Sequence, residues 1–215
     1  MGQWIDLTHK LYDHMPVWPG DRPVEIKDVM TVPENGCSVQ RLGMGNHAGT
    51  HMDAPAHFLP DGLTVDNIPL RALTGPARLV SIPRTEHQVM AREDLEAVLE
   101  GARACQRLIL HTGWHSRFSW PAYYQDFPVL TLDAAEYLAG LGLMLLGLDT
   151  PSPSPMDDPG QRIHKVLLGA GVVVVESLTN LRALPPGDID ICILPLPLDQ
   201  ASGSPCRAIG RSCGH

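Results

Sequence analysis

The chain has 215 residues, 44% of them hydrophobic and 19% charged, and a formal net charge of −8. That composition excludes a disordered chain, and the acidic balance leaves no basic stripe for nucleic acid. The longest apolar run, residues 138–148, is too short to cross a bilayer.

The length fits a single domain over 1–215. Twenty Gly and twenty Pro point to many constrained turns and away from a helical bundle. Residues 4–8 read as a short strand, and 11–23 as a turn-rich loop ending in Pro19-Gly20-Asp21. Residues 24–32 and 37–44 read as two strands around the turn Pro33-Glu34-Asn35-Gly36. A strand is expected over 77–83. A helix is expected over 91–103, where Leu95, Val98 and Leu99 keep helical spacing and Glu93 and Asp94 suit the first turn. Residues 107–111 form a buried strand, 131–140 a helix with Thr131 placed to cap it, and 143–149 another buried strand. Residues 161–169 read as a helix, Val172–Val175 as a buried strand running into Glu176, and 189–196 as the last strand. Apolar strands alternating with helices imply an α/β fold with strands covered on both faces, and the excess of strands implies a mixed sheet.

The five cysteines are odd in number and contain no C-x-x-C pair, so neither a disulfide framework nor a cysteine zinc site is expected. A reducing, cytoplasmic setting is the simplest, and the start of the chain has no basic segment followed by an apolar one. Trp18, Trp114 and Trp120 fall in loop-like stretches, where each either closes the core or walls a pocket for a flat substrate.

The segment His47-Ala-Gly-Thr-His51-Met-Asp53-Ala-Pro-Ala-His57-Phe58 holds three imidazoles and a carboxylate in eleven residues. Such donors suit Zn²⁺ or Mn²⁺. The four-residue step from His47 to His51 does not make a metalloprotease helix, because no Glu follows His47 and Gly49 and Pro55 oppose a helix. On an extended chain residues 51 and 53 project to one side and address one metal. Two further candidates are His164 and Glu176; a carboxylate closing a buried strand calls for a partner or a metal. His111 and His115 form another pair four apart, for which pocket lining or packing is the preferred reading over ligation. His9, His14, His87 and His215 carry no partner pattern.

This central string resembles the signature of the cyclase-family metal-dependent hydrolases, which include bacterial kynurenine formamidase (arylformamidase) and isatin hydrolase. Residues 5–11, Trp18-Pro19-Gly20-Asp21, Gly147-Leu148-Asp149-Thr150-Pro151-Ser152, the step from His164 to Glu176, Ser177–Leu181, and Ser204–Ala208 extend the resemblance over nearly the whole chain. It implies a swivelling β/α/β domain. It also implies a two-metal site of His47, His51, Asp53, His164 and Glu176, with Asp53 and Glu176 bridging, two Zn²⁺ or alternatively Mn²⁺, His57 as proton donor and acceptor, and Trp18 against the substrate ring. The implied reaction is amide C–N hydrolysis of an arylformamide such as N-formylkynurenine, in tryptophan catabolism, by a homodimer or homotetramer. Three positions depart from the family pattern: His111 in place of Arg, Pro153-Ser154-Pro155 in place of Val-Asp-Pro, and Gly203 in place of Asp. All three are expected to alter the pocket and not the metals. A cyclic-amide hydrolase of the isatin type, and a non-catalytic metal- or ligand-binding module, stay open as alternatives.

Overall fold

The computed structural model describes residues 2–101, 104–120 and 122–213. Residues 102 and 103, expected to end a helix, and His215 lie outside the described residues. The strands are β1 (Ile5–Asp6), β2 (Glu25–Met30), β3 (Val39–Gly43), β4 (His51–Asp53), β5 (Thr74–Ser81), β6 (Val89–Met90), β7 (Arg107–His111), β8 (Val129–Leu130), β9 (Leu145–Leu148), β10 (Val173–Glu176), β11 (Gly187–Pro195) and β12 (Gly203–Ser212). The α-helices are α1 (Val32–Asn35), α2 (Leu70–Leu73), α3 (Arg92–Leu99), α4 (Leu132–Gly140) and α5 (Arg162–Gly169).

Eight strands form one mixed sheet in the order β1-β12-β11-β5-β7-β9-β10-β4. Strands β5, β7, β9 and β10 run parallel, and β11, β12, β4 and β1 pair antiparallel. The far strand β4 pairs back onto β12, so the sheet closes on itself. Period-two alternation divides its side chains: Ile109, Leu145, Val173 and Val175 point into one apolar cluster with Met52 and Ile191, while Leu108, Leu110, Leu146 and Val174 join Leu95, Leu138 and Leu167 of the helices. The buried apolar runs of β7, β9 and β10 are therefore covered on both faces, as the sequence predicts. Thr131 caps α4 by accepting the Ala134 N–H at 3.3 Å.

Several boundaries differ from the sequence expectation. The first strand shrinks to two residues, with Thr8 reduced to a single bridge to Leu178. Helix α3 ends at Leu99, before Glu100 and Gly101, whose φ is +66°. The turn at 33–36 is a short helix closed by Gly36 in the left-handed conformation. Strand β12 was not expected at all, because Gly203, Ser204, Pro205, Ala208 and Gly210 give it no apolar alternation. Its smallness is required by packing: a Cβ on Gly210 would stand 3.0 Å from both Leu7 and Leu184.

Candidate active site

Strand β4 is three residues long and buried throughout. Met52 turns into the apolar interior of the closed sheet, so its neighbours His51 and Asp53 face the other way together. Register supplies the remaining groups. Glu176 pairs with His51 across β10, and Gly203 pairs with Asp53 across β12. Helix α5 brings His164 over the same spot. Its first turn is held by Asp158, which accepts the Ile163 N–H at 3.1 Å and pairs with Arg162.

Each carboxylate presents one oxygen to each of two imidazoles. Asp53 Oδ1 lies 3.4 Å from His51 Nε2, and Asp53 Oδ2 lies 3.7 Å from His164 Nε2. Glu176 Oε2 lies 3.3 Å from His51 Nε2, and Oε1 lies 3.2 Å from His164 Nε2. Donors about 2.0–2.1 Å from a tetrahedral ion stand about 3.3 Å from one another, and these spacings are close to that value.

The ring orientations are fixed from behind. His51 Nδ1 bonds the Gly49 carbonyl at 2.9 Å, and His164 Nδ1 bonds Ser154 Oγ at 2.8 Å, which leaves both Nε2 atoms aimed at the carboxylates. Gly49 holds φ at +68°, and a Cβ there would also meet Leu11 and Met15 at 3.1 Å.

Electrostatics point the same way. Burial alone would lower the His51 pKa, yet Asp53 and Glu176 raise it well above the ordinary imidazole value. His164 is raised likewise against the effect of its burial, by Glu176 and Asp53. Burial would raise the Asp53 carboxyl, but His47 and His51 hold it well below the usual range. Two buried carboxylates thus draw positive charge into the site, and a divalent cation supplies it without protons. The donor set fits a metal.

His47 and His57 stand on the cavity side. His47 Nδ1 bonds Asp53 Oδ1 at 2.7 Å and its Nε2 bonds Ser202 Oγ at 3.1 Å. The His57 ring stacks on His47 with centroids 3.9 Å apart, and donor atoms of His47, Asp53 and His57 all lie within 4.8 Å of one another. Burial pushes the His57 pKa down to about 4, against the raising effect of Asp53. All of these groups line a cavity of about 270 Å³.

Trp18 forms part of its wall and meets Tyr124 and Phe127 edge-on, with centroids 5.9 and 6.1 Å away. Asp21, from the Trp18-Pro19-Gly20-Asp21 segment, also lines it, as do Phe58, which ends the central motif, and Tyr124 and Gln161, which the sequence does not single out. Trp114 is core, donating its indole N–H to the Tyr123 carbonyl at 2.9 Å. Trp120 is exposed and lies beside Arg117.

The three departures correct an expectation. None of His111, Ser154 and Gly203 lines this cavity. Ser154 holds His164, and Gly203 lies against His47, where a Cβ would come within 2.4 Å of the ring. Two of the three therefore act on the candidate ligands themselves. His111 and His115 lie against Asp149, and neither lines this cavity.

A family model described as "Putative cyclase" matches residues 5–155. A kynurenine formamidase from Geobacillus thermodenitrificans (strain NG80-2) is 35% identical over 217 residues, covering 100% of both chains. A solved structure described as a predicted metal-dependent hydrolase from Bacillus stearothermophilus superposes with a TM-score of 0.81 at 26% identity, covering 98% of each chain. Isatin hydrolase A from Ralstonia solanacearum shares the fold with a TM-score of 0.86 at 24% identity, over 97% of this chain and 91% of that one. By its sequence over the full length, and by the fold that carries the His/Asp/Glu cluster, the chain belongs to the cyclase family and is a hydrolytic enzyme.

Proposed function

We propose that the chain hydrolyses the amide C–N bond of an arylformamide such as N-formylkynurenine, releasing formate and an aryl amine. The observation that carries this reading is the convergence of His51, Asp53, His164 and Glu176 at coordination-shell spacing on a cavity that Trp18 and Tyr124 also wall. His47, His51, Asp53, His164 and Glu176 would hold a pair of Zn²⁺ ions, with Mn²⁺ as the alternative. When bound, such ions supply Lewis acidity: a water that ionises near neutral pH and a polarised carbonyl.

His57 does the proton work. Its low pKa leaves it neutral at pH 7, and no hydrogen bond to its ring nitrogens is seen among the described residues. It is therefore able to take a proton from the attacking water and return it to the leaving nitrogen. Stacking on His47 and contact with Phe58 hold the ring in place. Trp18 offers a flat apolar face to the aryl ring. The substitutions that would favour a cyclic amide, at His111 and Ser154, do not line the cavity, so the formamide is preferred. A homo-oligomer of soluble, cytoplasmic enzyme goes with this reading.

The test is turnover of N-formylkynurenine, formanilide and isatin by protein reconstituted with Zn²⁺ or Mn²⁺. Faster turnover of the two formamides is the expected result. Selective isatin opening would overturn the substrate, and hydrolysis undiminished by full chelation would overturn the metal.

A further inference from the structure

A second set of donors lies outside this cavity. His111 ends β7, Asp149 follows β9, and His115 sits in the single turn Trp114–Arg117. Parallel pairing of β7 with β9 brings their ends together. His115 Nδ1 lies 3.0 Å and His111 Nε2 4.0 Å from Asp149 Oδ2. The three donor atoms all fall within 4.8 Å of one another.

We propose that His111, His115 and Asp149 form a further divalent-cation site, of the two-imidazole, one-carboxylate kind that takes Zn²⁺ or Co²⁺, distinct from the candidate active site. The charge balance of Asp149 carries the argument. Its side chain is fully buried, and its hydrogen bonds come from the Thr112 and Gly113 backbone N–H groups, the Thr112 hydroxyl and His115. No Lys or Arg pairs with it among the described residues. A buried carboxylate without a countercharge is costly, and two imidazoles stand against its Oδ2. The His111 ring nitrogen Nε2 lies 4.0 Å from Asp149 Oδ2. No hydrogen bond to either nitrogen of that ring is seen among the described residues.

The separations of 3.0 and 4.0 Å bracket the spacing of about 3.3 Å that a tetrahedral ion requires. His115 also lines a surface cavity with His9, Lys10 and Phe118. Once loaded, the site would tie together the ends of β7 and β9 and the turn after β7.

Equilibrium dialysis of the whole protein against Co²⁺, with elemental counting, tests this. Wild type should hold one more equivalent than His111→Ala or His115→Gln, while turnover of His111→Ala by the metal-loaded enzyme stays within twofold of wild type. Equal cobalt counts in wild type and His111→Ala would refute the site, as would a lost equivalent that takes turnover down in proportion. Crystals of cobalt-loaded wild type give an answer that needs no variant: an anomalous peak bonded to all three side chains is expected, and its absence overturns the proposal.

Discussion

A methyl group at position 203 has no room. Built on the existing backbone it would stand 2.4 Å from His47 Cε1, 2.9 Å from His47 Nδ1 and 2.6 Å from the Met52 carbonyl oxygen. The carbonyl belongs to β4, which is paired on both edges, so the His47 ring must give way. Restoring ordinary contact at about 3.4 Å moves that ring by about 1 Å. A shift of this size breaks the 2.7 Å bond to Asp53 and carries His57 with it through their stacking. Overpacking of this kind costs about 1–3 kcal/mol, and a misplacement of about 1 Å can cost about 10²-fold in rate. Gly203→Ala is therefore expected to lose about 1–3 kcal/mol in urea unfolding, to fall about 10²-fold in turnover, and to bind its metal more weakly. Gly140→Ala is the control, since that helical glycine has nothing within 4 Å of an added Cβ. Stability and turnover of Gly203→Ala indistinguishable from those of the control would refute the steric argument.

His57→Ala is expected to keep its full metal content and lose about 10²-fold or more in turnover, checked by elemental analysis beside a rate assay. Glu176→Gln should remove or loosen one of two ions, because the charge is lost and one carboxylate oxygen is replaced by an NH₂ group that offers no lone pair; unchanged stoichiometry and affinity would reject the paired site. Ser154→Ala leaves His164 Nδ1 without its 2.8 Å partner and should weaken metal affinity about 10–100-fold, measured by competition with a chelator. A pH effect follows from His9, which stacks on Phe118 at 3.7 Å and whose pKa burial lowers to about 4 from 6.5. Between those values the unfolded chain takes the proton and the folded one does not, so stability falls as pH drops from 6.5 and levels off below 4. The loss is at most about 3 kcal/mol, and urea midpoints of His9→Phe should lack that part of the acid limb.

The sequence is informative where a period or a donor pattern survives in a few residues. The runs at 108–110, 145–148 and 173–175 announce buried strands because none of them carries a polar side chain and both faces are covered. The central motif announces an extended segment because Gly49 and Pro55 oppose a helix, and β4 does place His51 and Asp53 on one side. What stays hidden depends on partners far along the chain. Strand β12 is built from small residues that make sense only against Leu7, Leu184 and His47. Ser154 and Gly203 look like pocket substitutions until the fold sets them against His164 and His47. Asp149 sits in a recognisable motif, yet only the pairing of β7 with β9 brings it to His111 and His115.

The short strand β4 limits how the site can evolve. Held by β10 on one edge and β12 on the other, it cannot slip by one residue without exchanging which side chains face inward. Insertions or register drift there would dismantle two neighbours at once. New substrates must therefore be accommodated elsewhere, in the loops that carry Trp18, Pro151 and Gln161 to the cavity wall. Diversity among relatives should accumulate in those loops, while the staff that bears the ligands stays unchanged.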